Sequence, residues 1–280
     1  MSLPVSSSLE AQLHAPARQG ALRLAQAVRA HLKGEPTAAL EALQTAAAEG
    51  SDTSETIAAR AHLCLELKRY PEAAAEYEKL AAMDAGSAET YYQWGACLYQ
   101  QGKFGPALER LQRSAELEPS RADVALMIGL THLQLKRPEE ALDAFNTCLE
   151  KQPTQESALL GKAVALQLSW ELEESASVYE LVLSRNPTSE DALVNMIALG
   201  MQRKDNASIR RWAAQLLRQN PTATVALEGL ASASFAEGHY DEAAGHYGRL
   251  VELQPANYDY WFNLGVTNQR KGDLLEAATA

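Results

Sequence analysis

One period organises this chain. Segments beginning at Gly20, Ser54, Ala88, Ala122, Glu156, Glu190, Thr224 and Tyr258 align without insertion or deletion, each starting 34 residues after the last. A fixed period of roughly 20–50 residues marks a solenoid, because one such segment cannot bury its apolar face alone and must stack on its neighbours. This length holds two helices and two turns. The expected fold class is therefore all-α, an α-solenoid of helix-turn-helix repeats, seven complete and an eighth partial. Residues 20–280 then form one continuous domain. Residues 1–19, rich in Ser, Pro and Ala, are expected to be a mobile segment, or a cap if Leu9, Leu13 and Leu22 extend the first helix backward.

The repeat from Ala88 to Arg121 shows how each builds itself. Tyr91, Trp94, Gly95 and Leu98 recur at spacings of three and four, which places them on one face of a first helix. Gly102 follows where the chain must reverse, and Pro106 suits the first turn of a second helix because its missing N–H would have no partner there anyway. Ala107, Leu111 and Ser114 face back, and Pro119 closes the repeat.

Small and large residues alternate across the two helices. The eighth place is small in Gly95, Gly129, Ala163, Ala231 and Gly265, and Ala73, Ala107, Ala141 and Ala243 are small on the second helix. Tyr77, Leu111, Phe145, Tyr179 and Tyr247 supply the bulk. Interdigitation requires this pairing. The sixth repeat exchanges it, with Ile197 at the small place and Gly200 three residues on, then Ile209 and Ala213 on the second helix. Bulk is moved rather than added, which a core tolerates.

Charge and motifs exclude several classes. The net charge is −11, so the basic footprint of a nucleic-acid binder is missing. Only the stretch 190–223 is locally basic, through Arg203, Lys204, Arg210, Arg211 and Arg218, and it reads as a solvated outer face rather than a phosphate site. No segment approaches the ~18 apolar residues of a membrane span, and the N-terminus lacks the order of a signal peptide. Three cysteines, Cys64, Cys97 and Cys148, fall at packed places and read as buried free thiols. Together these point to the cytoplasm. Phosphate loops, nucleophile elbows and zinc helices are missing from the sequence. His239, Glu242 and His246 have weak metal spacing and read as a helix surface. Neither catalysis nor a cofactor is expected.

The repeat resembles the tetratricopeptide repeat. Trp261, Leu264 and Gly265 match the opening of that pattern, and Pro119, Pro153, Pro187, Pro221 and Pro255 supply its closing proline. The resemblance covers roughly residues 20–280 and implies a right-handed superhelix. The first repeat departs most, with Gln26 and Ala27 at the Leu-Gly pair and Ser51 at the proline place, and Ala85 replaces proline in the second. The eighth repeat stops at Ala280 inside its second helix, which suggests an N-terminal fragment of a longer protein.

In this family first helices line a concave groove, with inward residues at the second, fifth, sixth, ninth, twelfth and thirteenth places. The resemblance thus nominates Tyr92, Gln93, Tyr99, Leu126, Met127, Leu130, Leu133, Asn195, Met201, Phe235, Phe262 and Asn263. The Lys and Arg set by which some members hold a C-terminal carboxylate is missing from these places. The asparagine ladder of members fused to sugar-transferring enzymes is represented only by Asn195 and Asn263. The surface suits a peptide or helix with apolar anchors. The expected function is a protein-interaction scaffold. The alternatives are a recruiting arm of a larger enzyme, for example a glycosyltransferase, and self-association through an open C-terminal repeat.

Overall fold

In the computed structural model, residues 6–83 and 87–272 are described, with side chains from residue 18 onward. These residues are helical throughout apart from turns, in the order α1 (Ser6–Leu32), α2 (Pro36–Ala48), α3 (Ser54–Glu66), α4 (Tyr70–Met83), α5 (Ala88–Gln100), α6 (Phe104–Leu117), α7 (Ala122–Gln134) and α8 (Pro138–Lys151). There follow α9 (Glu156–Leu168), α10 (Leu172–Arg185), α11 (Glu190–Arg203), α12 (Asn206–Gln219), α13 (Thr224–Ala236), α14 (Tyr240–Leu253) and α15 (Tyr258–Lys271). The chain divides into two compact units, Met1–Gln152 and Pro153–Ala280. Within each, consecutive helices pair as hairpins and successive hairpins stack, so each unit is an α-solenoid. Helix α1 reaches back to Ser6. The expected contacts of Leu9 and Leu13, the proline place at Ala85, and the second helix of the eighth repeat with Ala280 all lie outside the described residues.

The first helix of every repeat ends at the same place. Gly34, Lys68, Gly102, Lys136, Trp170, Lys204, Gly238 and Gly272, each 34 residues apart, all adopt positive φ. In the third repeat Lys103 N–H donates to Leu98 C=O at 3.0 Å and Gly102 N–H to Tyr99 C=O at 2.9 Å. This pair of bonds ends a helix by satisfying carbonyls that have lost their intrahelical partners, and it requires a left-handed residue. Sequence reading identified the turn at Gly102 but not the series.

The expected interdigitation is present. An added Cβ on Gly95 would lie 2.7 Å from Leu111 Cγ, and one on Gly129 would lie 2.6 Å from Phe145 Cε1. Ala73, Ala107, Ala141, Ala163, Ala231 and Ala243 are fully buried opposite such bulk. In the sixth repeat the exchange joins neighbouring hairpins. A Cβ on Gly229 would lie 2.7 Å from Ile197 Cγ2 and 3.1 Å from Ile209 Cγ2, so α13 packs directly on α11. The three cysteines are free and buried, and burial pushes the Cys97 thiol up to about 11.

Candidate functional site

The first unit carries seven nominated residues on two neighbouring first helices, α5 and α7. Tyr92, Gln93, Tyr99, Leu126, Met127, Leu130 and Leu133 are all half-buried. Each is therefore held by its neighbours yet keeps some open surface. Two are braced by contacts that the sequence reading missed. The Tyr99 ring meets Phe104, the first residue of α6, edge-on at 5.3 Å. The Tyr92 ring lies under the Arg121 guanidinium at 4.6 Å. Arg121 also bonds Glu89 at 2.6 Å and Asp123 at 2.6 Å, tying the start of α5 to that of α7. One face of Tyr92 is thus covered by the chain's own cation. Arg121 holds the Asp123 carboxyl below the usual carboxylate range, and burial raises the Tyr92 hydroxyl. Gln93 donates from Nε2 to Glu89 Oε1 at 2.7 Å.

The second unit carries the other five. Asn195 and Met201 on α11, Phe235 on α13 and Asn263 on α15 are half-buried, and Phe262 on α15 is 70% exposed. Helices α11 and α13 are adjacent, and the Met201 sulfur comes within 4.0 Å of a Cβ built on Gly229. Phe235 repeats the bracing of Tyr99, with its ring edge-on to Tyr240 at 5.4 Å. Both aromatics stand at the twelfth place, and both braces stand at the seventeenth.

The basic stretch of the sixth repeat is not simply solvated. Arg203 bonds Glu173 at 2.8 Å, and Arg210 bonds Glu237 and Glu242, each at 2.7 Å. Arg211 stacks over Trp212 at 4.1 Å. Arg203 and Arg210 thus clasp neighbouring hairpins. Glu242 is therefore engaged by Arg210 as well as lying 3.8 Å from His246. Among the described residues no group of three or more His, Cys, Asp or Glu is arranged to hold a metal ion. No helix among them is long and apolar enough to cross a membrane.

Parts of this chain are similar to known proteins. A family profile described as anaphase-promoting complex, cyclosome, subunit 3 matches residues 72–148, and a tetratricopeptide repeat profile matches residues 229–280. The chain is 31% identical over 105 residues to human protein O-mannosyl-transferase TMTC3, a stretch that is 37% of this chain and 12% of that protein. It is 33% identical over 90 residues to the type IV pilus assembly protein PilF of Pseudomonas aeruginosa, covering 31% of this chain and 36% of that one. The matched stretch is thus only a minor part of either relative's length. A solved tetratricopeptide repeat protein from Parabacteroides merdae superposes with a TM-score of 0.66 at 15% identity, over 89% of this chain and 99% of that one. The two family matches, together with the unbroken period and the stacked hairpins, show that this chain carries tetratricopeptide repeats.

Proposed function

We propose that the chain is an interaction scaffold whose first unit holds a peptide or helix of a partner protein on the α5–α7 face. The observation that carries this is the row of half-buried apolar side chains on adjacent helices, Tyr99, Leu126, Met127, Leu130 and Leu133. A helical or extended segment with apolar anchors completes their burial, at about 25 cal/mol for each Å² of apolar surface removed from water. Gln93 and Gln134 add amides able to pair with a bound backbone. In the second unit Met201, Phe235 and Phe262 offer the same chemistry. Cytoplasmic residence belongs to this reading, supported by three buried, unpaired thiols.

The test is selection of peptides from a random displayed library, followed by binding to the variant Tyr99→Ala/Leu130→Ala. The expected result is recurrent apolar anchors among the selected peptides and at least tenfold weaker binding by the variant, with helicity retained. Equal binding by the variant moves the site off this face.

A second reading has one observation in its favour. A sugar-transferring enzyme, O-mannosyl-transferase TMTC3, contains a stretch similar to part of this chain. Under this reading the repeats are an arm that presents protein substrates to a catalytic domain encoded beyond Ala280. A native reading frame that ends without such a domain removes this alternative.

A further inference from the structure

We propose that Trp170 is a second docking point, which receives a basic segment of a partner protein at the α9–α10 turn, independently of the α5–α7 face. Of the eight left-handed turn residues, seven are Gly or Lys and one is Trp170, at φ +64°. Its N–H donates to Gln167 C=O at 3.2 Å and Glu171 N–H donates to Leu166 C=O at 2.9 Å, so the turn has the same form as that at Gly102. Glycine adopts this backbone freely, whereas a bulky side chain there is strained. The strain is not offset by burial, because the Trp170 side chain is 74% exposed. Leu168, two residues earlier, is 53% exposed, so the turn presents an apolar pair to solvent. Strain that buys no packing points to use.

Charge selects the occupant. Glu171, Glu173 and Glu174 follow the indole directly, and all three are exposed. Arg203 occupies Glu173 at 2.8 Å, which leaves Glu171 and Glu174 to meet an incoming cation. The chain already uses guanidinium on rings, with Arg110 over Trp94 at 4.2 Å and Arg211 over Trp212 at 4.1 Å. An exposed indole flanked by carboxylates favours the same contact with an arginine or lysine from outside. The same carboxylates repel an anionic lipid surface.

The test uses the whole chain and a fluorescein-labelled peptide of alternating arginine and glycine, which lacks the apolar anchors suited to the α5–α7 face, read by anisotropy. Trp170→Gly should weaken binding at least tenfold while raising the melting temperature by about 2 °C, a combination that a structural role for the indole does not produce. Glu171→Gln/Glu174→Gln should weaken binding several-fold. Acrylamide quenching of the exposed indole should fall when the peptide is added. The proposal is overturned if Trp170→Gly binds as the parent does, if the parent does not bind, if glutamate in place of arginine binds equally, or if phosphatidylcholine vesicles protect the indole and the peptide does not.

Discussion

Two arginines hold hairpins together in the same way, one in each unit, and they differ in burial. In the first unit Arg60 is 3% exposed. Its guanidinium bonds Asp52 at 2.9 and 3.0 Å, Glu76 at 2.6 Å and the Leu43 carbonyl at 3.1 Å, joining α2, α3 and α4. In the second unit Arg210 bonds Glu237, Glu242 and Ser234, joining α12 to α13 and α14, but its side chain is 31% exposed. The partner sets are alike, and the solvent is not. A charge taken out of water costs several kcal/mol unless fully paired, so removing a partner from the buried set leaves the ion only partly compensated and without water to make up the loss. The exposed set is bathed in water and salt, which take over when a partner is lost. Both arginines have their pKa raised, Arg60 because Asp52 and Glu76 more than offset its burial, Arg210 through Glu242 and Glu237.

The largest expected effect is therefore at the buried set. Glu76→Ala should destabilise the first unit by about 3–5 kcal/mol, read from urea unfolding followed by circular dichroism. A loss below about 1 kcal/mol would erase the distinction between the two sets. Acidification comes next. Arg210 holds the Glu242 carboxyl down to about 2, and Arg60 holds the Asp52 carboxyl below its usual range. A depressed carboxyl contributes stability that is present above its unfolded pKa, 4.5 for Glu242 and 3.8 for Asp52, and is lost as pH falls through the folded value. His132 and His246 are lowered by burial, so they resist protonation while folded and add to the loss from about pH 6.5 downward. Melting temperature should fall from about pH 6.5, and more steeply from about 4.5 toward 2. A flat profile over that window would contradict both assignments. The smallest effect is Arg210→Met, about 0.5–1 kcal/mol at low salt and less in 1 M salt. A loss as large as that for Glu76→Ala would place the two sets on the same footing.

The period made the hairpins legible, because Gly95 and Gly129 stand where Leu111 and Phe145 need room and both recur in phase. Arg60 was legible in principle. It stands at the seventh place, which is apolar in Trp94, Ile128, Met196, Leu230 and Leu264 but polar in Gln26 and Lys162, so the place points toward a buried charge without requiring one. Its partners were not legible, since Asp52 and Glu76 lie 8 and 16 residues away on separate elements. Trp170 was not singled out, although the period puts it at the place of Gly102, Gly238 and Gly272; its left-handed backbone and its exposure are what the structure adds. The groove residues followed from place alone. That Arg121 covers Tyr92 depends on a contact between the end of one repeat and the fifth place of the same repeat, which helical periodicity within one helix does not report.

The central claim is that the α5–α7 face of the first unit receives a partner segment. Amide hydrogen exchange with and without a library-selected peptide tests it most directly. The account predicts slowed exchange in α5 and α7, lost in Tyr99→Ala/Leu130→Ala. Slowing confined to α6 and α8, or unchanged in that variant, would contradict it.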